Sequence, residues 1–262
     1  MSPESITKRV PHIVLAYWII KIAATTLGET GADLFSMTLD LGYGVTIAIF
    51  MTLFFVLLGI KLRMGRYTPL SYWLLFTSTA IAGTGISDFI DRTLGLGYAA
   101  GSAIVLALLL VTLFVWHRVE GTISVEHVAT PRAEILYWVA FLIANTLGTA
   151  AGDYLADDLE IGFLASAGWI AGVLVLTALA HYQTRANGVL LFWIAFVLTR
   201  PFGATFGDLL TKSPADGGLG YGTVVASLVF ATILGVALVR ESREERKLTR
   251  LETNGPSPQL AS

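Results

Sequence analysis

The chain has 262 residues, of which 55% are hydrophobic and only 14% charged, with a mean hydropathy of +0.70, well outside the range of soluble domains. A net charge of −2 gives no basis for nucleic-acid binding, and the lack of cysteine removes disulfides, thiolate metal sites, Cys nucleophiles and iron–sulfur clusters together. The composition predicts an integral membrane protein, with the lipid bilayer as its first partner.

Residues 1–11 form a polar arm that lacks a cleavage site after an apolar core, so the first hydrophobic segment is expected to remain as a membrane helix. Helix one is predicted from about His12 to Ser36, and Leu41-Gly42-Tyr43-Gly44 turns the chain into helix two, ending near Met64. Helix three starts after Pro69 and ends near Arg92, and Leu96-Gly97-Tyr98 opens helix four, which reaches Trp116. Residues 117–132 are the one long polar connection and divide the chain into membrane halves at 12–116 and 133–239. Helix five runs from about Ala133 to Leu155, and Ile161-Gly162-Phe163 opens helix six. Helix seven runs from Gly188 to about Thr211, and Leu219-Gly220-Tyr221 opens helix eight, which closes near Val239. Residues 240–262 begin as the basic helix extension ESREERKLTRLE and end in a Pro/Ser/Gly-containing stretch expected to fray into disorder. The apolar runs have the length of bilayer crossings, roughly 19 to 25 residues each. Because they are continuous rather than alternating, they argue against barrel strands.

A single frame recurs four times. Trp18, Trp73, Trp138 and Trp193 each precede an aspartate by 15 residues, at Asp33, Asp88, Asp153 and Asp208. Gly28, Gly83, Gly148 and Gly203 lie five residues before those aspartates, and Tyr17, Tyr72, Tyr137 and Phe192 precede the tryptophans. Asp33 to Asp153 and Asp88 to Asp208 both span 120 residues, the mark of a two-helix unit doubled and then doubled again. The expected fold is all-α, with eight transmembrane helices arranged as four parallel helical-hairpin repeats about an axis along the membrane normal. Lys8, Arg9, Lys61, Arg63, Arg66, Arg118, Arg132, Arg185 and the basic tail fall on one side, and Arg92 and Lys212 on the other. The positive-inside rule therefore puts both termini in the cytoplasm.

With these residues in view, the chain resembles a bacterial membrane-protein family of four tandem copies of a repeat of unknown function, each with two transmembrane segments and one characteristic tryptophan. The likeness rests on the Trp, Gly and Asp columns and covers roughly residues 12–240. It implies the repeat fold and a bacterial inner-membrane location, and no activity.

The tryptophans are expected at the cytoplasmic interface as anchors. Asp33, Asp88, Asp153 and Asp208 lie about 22 Å further along their helices, where two arrangements are open. Either they sit in the outer headgroup layer, capping the Gly-Tyr helices or pairing with Arg92 and Lys212, or they converge on the repeat axis as an acidic ring that holds a cation. Glu29 shares a helix face with Asp33. Thr25, Asn145 and Arg200 occupy the column seven residues after the Trp, and Thr84 and Thr149 share the column of Glu29. Such an all-oxygen set suits hard cations such as Mn²⁺, Mg²⁺ or Ca²⁺. Arg200, next to Pro201, is expected to neutralise Glu29 or Asp208, whereas Lys21 is placed to snorkel toward the cytoplasm. His12, His117, His127 and His181 fall at helix ends or in cytoplasmic segments, which disfavours a histidine-type zinc site in the membrane. The small residues around the aspartates are read as helix-packing contacts.

These residues point first to a transporter or exporter of a small cation or proton, without an enzymatic step and without a cofactor beyond a bound cation. The alternative is a non-enzymatic scaffold or sensor working through its basic tail. More remotely, Ala151-Gly152-Asp153 and Phe206-Gly207-Asp208 are similar to the Gly-Asp ending of intramembrane aspartyl proteases, although neither has Gly two residues before the Gly-Asp and the aspartate recurs four times.

Overall fold

A computed structural model describes residues 9–11, 14–125 and 128–254, so His12, His127, Lys8 and the end of the tail from 255 lie outside the described residues. Among the described residues the chain forms eight α-helices: α1 Leu15–Asp33, α2 Gly42–Met64, α3 Pro69–Asp88, α4 Gly97–Glu120, α5 Pro131–Asp153, α6 Phe163–Gln183, α7 Gly188–Thr211 and α8 Thr223–Asn254. Local chemistry explains the boundaries. Pro69 and Pro131 open α3 and α5, where a missing N–H costs nothing. The Thr130 hydroxyl accepts from the Ala133 N–H, and the Asn187 side chain accepts from the amides of Val189 and Leu190. Gly65 and Gly121, at φ 63° and 74°, supply the left-handed turn that stops α2 and α4.

Six of these helices, α2 and α4 to α8, are long and apolar enough to cross a membrane. The two that are less apolar are α1, which carries Lys21, Glu29 and Asp33, and α3, which is diluted by Ser, Thr and Gly. Both belong to the interior. The helices α1, α3, α5 and α7 pack in a closed ring, α1 on α3, α3 on α5, α5 on α7 and α7 on α1. The remaining four stand outside and present Phe55, Leu110, Leu176 and Leu228 to the surroundings. Each outer helix packs chiefly on an inner helix of a neighbouring repeat: α2 on α3, α4 on α5, α6 on α7 and α8 on α1. The second helix of a repeat therefore does not fold back mainly on its own first helix, as a simple hairpin would. It ties one repeat to the next and closes the circle through α8.

The glycine column makes the inner ring possible. A Cβ on Gly28 would lie 2.5 Å from Ala80 Cβ of α3, one on Gly83 2.9 Å from Asn145 Cβ of α5, and one on Gly203 2.6 Å from Thr25 Oγ1 of α1. Gly148 lies against the Arg200 stem of α7. Each column glycine thus receives the residue seven beyond the tryptophan of the next inner helix, in the manner of small-residue membrane packing. Gly83→Ala, which also meets the Thr146 backbone nitrogen at 3.0 Å, is expected to destabilise the protein by about 1–3 kcal/mol. Gly59→Ala in α2, with open space around the new carbon, should be neutral or slightly stabilising. Thermal melting of both variants in detergent checks the contrast.

One expectation is corrected here, and one is extended. Trp73, Trp138 and Trp193 are buried and Trp18 is half-buried, so they do not face outward as anchors: Trp73 and Trp138 pack on Tyr17, Tyr72, Tyr137 and Phe141, Trp193 on Trp116 and Phe196, and Trp18 on Tyr17 and Phe192. Large aromatic surface gains from tilted and edge-to-face packing on neighbouring rings, which these inward positions supply. The helix extension after Val239 continues to Asn254, and its first turn is docked: Glu241 accepts from the Trp73 indole N–H at 3.0 Å and from the Tyr67 hydroxyl.

Candidate functional site

The inner helices face one another through residues four apart, so their side chains form layers along a common axis. At the N-terminal ends the hydroxyls of Tyr17 and Tyr72 lie 3.5 Å apart and those of Tyr72 and Tyr137 2.6 Å apart, with Phe192 in the fourth place. Aspartate pairs share cations at the C-terminal ends, so the four helices run in the same direction.

One turn beyond the tyrosines are Lys21, Phe76, Phe141 and Phe196. Lys21 is fully buried and does not snorkel: its ammonium donates to the Phe196 carbonyl at 2.8 Å and to Thr199 Oγ1, and lies 3.8 Å from the Phe196 ring centre. The side chain turns onto Phe196 and Thr199 of α7 instead of reaching for the helix end, which corrects the snorkelling that the sequence suggested.

The following layer holds Thr25, Ala80, Asn145 and Arg200. Arg200 is 1% exposed and touches every other inner helix. Its guanidinium donates to the Thr25 carbonyl at 3.3 Å and Glu29 Oε2 at 3.1 Å on α1, and to the Ala80 carbonyl at 3.4 Å and Thr84 Oγ1 on α3, while Gly148 of α5 packs on its stem. Of the two partners expected for Arg200, the structure selects Glu29. Thr84 and Thr149 donate to the same carboxylate oxygen at 3.3 and 3.4 Å. Thr25 and Asn145 are not among the groups around it: the Thr25 hydroxyl donates to the carbonyls of Ile22 and Thr199, and the Asn145 amide donates to Thr79 Oγ1.

The four aspartates form the last layer, all buried. Lys212 Nζ lies 3.2 Å from Asp33 and 3.4 Å from Asp208, and Arg92 lies 3.4 Å from Asp88 and 3.8 Å from Asp153. The ring is therefore pinned two by two, and two cations serve four carboxylates. Burial works against the charge on Lys212, but Asp208 and Asp33 outweigh it and hold the amine above the ordinary lysine range. The side chains of Arg92 and Lys212 are 32% and 24% exposed, whereas those of the aspartates are nearly closed off, so the cations occupy the mouth of the layer. Among the described residues no cluster of three or more His, Asp or Glu side chains is positioned to hold a metal ion as the structure stands. Asp33, Asp88 and Asp153 are each followed by one π-helical turn, Leu34–Thr38, Phe89–Thr93 and Tyr154–Asp158, a feature that recurs at functional sites.

Arg92 and Lys212 stand four residues after Asp88 and Asp208 and 120 residues apart, so the doubling that repeats the aspartates also repeats their counter-ions. The remaining repeats have Met37 and Asp157 at that position. The family comparison has the same period. A family model described as Repeat of Unknown Function (DUF347) matches residues 16–67, 71–122, 136–187 and 191–247. The chain belongs to that family. Each matched unit contains one inner helix and the outer helix that follows it, so the ring of α1, α3, α5 and α7 brings the four units together at their aspartates. No curated protein and no solved structure matches the chain.

Sequence reasoning missed a second buried ion cluster at the opposite end of the DUF347 bundle. Glu134, in the first turn of α5, meets Arg9 at 2.5 Å and Lys61 of α2 at 3.4 Å, and Lys61 also donates to the Arg9 carbonyl. The only sequence signal was an acidic residue after a helix-opening Pro131, which reads equally well as an ordinary helix-dipole contact.

Proposed function

We propose that the protein is a membrane transporter of a small cation, with eight crossings built from four parallel two-helix repeats and both termini on the cytoplasmic side of a bacterial inner membrane. One observation carries the reading. Asp33, Asp88, Asp153, Asp208 and Glu29 are buried carboxylates, and the cations paired with them are Arg92, Lys212 and Arg200, which leaves two negative charges uncompensated. Each of these carboxylates has a basic neighbour, but buried negative charge in excess of its counter-ions is costly, and a cation or protons meet that deficit. The Asp88, Asp153 and Asp208 oxygens that face Arg92 and Lys212 are within ion-pair distance of those cations but accept no hydrogen bond from them, so the resident cations hold them by charge alone and a guest cation can compete for the same oxygens. The cargo enters at the mouth, displaces Lys212 or Arg92 from a pair of aspartates, and exchanges with protons on the way through. Glu29, Thr149 and Thr84 form the next station inward, with Arg200 as its resident cation, and Thr25 and Asn145 line the layer beyond it.

Calorimetric titration of the detergent-solubilised protein with Mn²⁺, Mg²⁺, Ca²⁺ and Na⁺ tests this. Saturable binding of at least one of them is expected, weakened roughly tenfold or more in Asp153→Asn. A wild-type protein that binds none of the four, or a variant that binds as well as wild type, overturns the reading.

Pairing of every aspartate with a basic side chain is also what a static scaffold or sensor requires. That alternative predicts the reverse pattern in cells: deletion of residues 240–262 abolishes the phenotype, and the aspartate variants keep it.

A further inference from the structure

Arg92 and Lys212 occupy the same place in the 120-residue duplication, yet the structure holds them differently. Arg92 lies inside the π-helical turn Phe89–Thr93 that continues α3, so its backbone is fixed by the helix. Its guanidinium also donates outward, from Nε to the Tyr98 hydroxyl at 3.2 Å and from a terminal nitrogen to the Tyr43 hydroxyl at 3.4 Å. These phenols stand in the first turns of α4 and α2, so Arg92 is held between Asp88 and Asp153 on one side and two outer helices on the other. A rigid fork of several donors suits such multiple anchoring.

Among the described residues Lys212 has none of these anchors. The helix α7 ends at Thr211, and the backbone of Lys212 is already extended, at φ −65° and ψ 156°. The residues in the places of Tyr43 and Tyr98 are Phe163 and Tyr221. Phe163 has no hydroxyl and is buried with Ala156 and Leu209. Tyr221 stands behind a longer loop, 13 residues after Asp208 where Tyr98 is 10 after Asp88, and is 60% exposed. That loop contains the short turn Pro214–Asp216 and then Gly217, Gly220 and Gly222 at φ 83°, 73° and 77°, a path that no π-helical continuation of α7 would take. The Lys212 amine donates one hydrogen bond, to Asp33, and meets Asp208 by charge alone. It is a compact, strongly hydrated charge on a flexible stem, so water compensates it when it leaves its carboxylates. The Lys212 side also leads inward: Glu29 stands one turn before Asp33 on α1, and a Cβ on Gly207, beside Asp208, would lie 3.0 Å from the Glu29 Cβ. The matching positions before Asp88 and Asp153 are the uncharged Thr84 and Thr149.

We propose that the two halves of the aspartate layer have different duties: Lys212 is the movable gate at which the cation exchanges onto Asp33 and Asp208, and Arg92, locked by Tyr43 and Tyr98, is a fixed counter-ion. The inference rests on the cation-transport reading above and selects one of its two entrances. Asp153→Asn still weakens binding, because the charge of Arg92 is then shared by one carboxylate fewer and repels the guest.

Chemical footprinting of the full-length protein in detergent, read by mass spectrometry, is the test. An acetylating reagent reports on amines and phenylglyoxal on guanidinium groups, each without cation and with saturating Mn²⁺, Mg²⁺, Ca²⁺ or Na⁺. With whichever of these binds in the calorimetric titration, acetylation of Lys212 should rise at least about tenfold relative to the exposed Lys247, as release from two carboxylates frees the amine, while modification of Arg92 stays within about twofold. Tyr43→Phe combined with Tyr98→Phe removes the lock, so the same cation should then raise Arg92 modification severalfold, a response that a merely structural pair of tyrosines would not give. A rise at Arg92 in wild type, or no rise at Lys212 despite calorimetric binding, overturns the gate and leaves the cation-binding reading standing. Unaltered Arg92 modification in the double phenylalanine variant overturns the tyrosine lock. Absence of calorimetric binding removes the transport reading, and the gate with it.

Discussion

Replacing Arg200 by methionine is expected to cost about 3–5 kcal/mol of stability, the largest single effect in the protein, because it strands a buried carboxylate. Among the described residues Glu29 would then keep Thr84 and Thr149 as its side-chain donors. The stem of methionine fills part of the space against Gly148, so loss of packing is a smaller share of the effect than loss of charge. The companion change separates the two. Glu29→Gln in the Arg200→Met background removes the stranded charge and should restore more than half of the lost stability, with the double variant melting well above the single one in detergent. A double variant no better than Arg200→Met would mean that the guanidinium acts as a spacer between α1, α3 and α7, and not as the counter-ion of Glu29.

Lys212→Met should have effects of opposite sign on stability and on affinity. Removing the amine leaves Asp33 and Asp208 facing one another without their shared cation, so the cation-free protein should melt at a lower temperature. A competing guest, however, no longer has to displace a tethered one. A charge pair at 4 Å near a protein surface is worth about 4 kcal/mol, and a third of that is roughly tenfold in affinity. The variant is therefore expected to bind whichever of Mn²⁺, Mg²⁺, Ca²⁺ and Na⁺ binds wild type at least about tenfold more tightly, and saturating cation should bring its melting temperature back toward the wild-type value by mass action. A purely structural lysine predicts destabilisation that no added cation repairs. Melting curves of wild type and Lys212→Met across a cation series distinguish the two outcomes.

How far the sequence reached depended on the range of the interaction. The Trp, Gly and Asp columns are periodic within one helix, and they led directly to an all-helical repeat and to glycines as the helix-contact face, which Gly28, Gly83, Gly148 and Gly203 confirm. Arg92 and Lys212 were legible as partners of the aspartates because each stands one helical turn beyond one of them. That each also reaches across to the aspartate of another repeat was not, because it depends on how the ring closes. The same holds for the outer helices: connectivity within a repeat suggests a hairpin, whereas the packing of α2 on α3 and α8 on α1 comes from tertiary contacts with no local signature. Lys21 and the tryptophans were misread for a related reason. Near a helix end, snorkelling and interfacial anchoring are the ordinary fates of Lys and Trp, and only the surrounding rings of Phe76, Phe196, Tyr72 and Tyr137 turn both inward.

The central claim is that the aspartates at the ends of α1, α3, α5 and α7 jointly carry an ion through the bilayer. Cation and proton flux in proteoliposomes, wild type against Asp153→Asn, tests it most directly. The account predicts flux in wild type and its loss in the variant, with the fold retained by melting. Equal flux in the two removes Asp153 from the pathway, and no flux in either contradicts the claim.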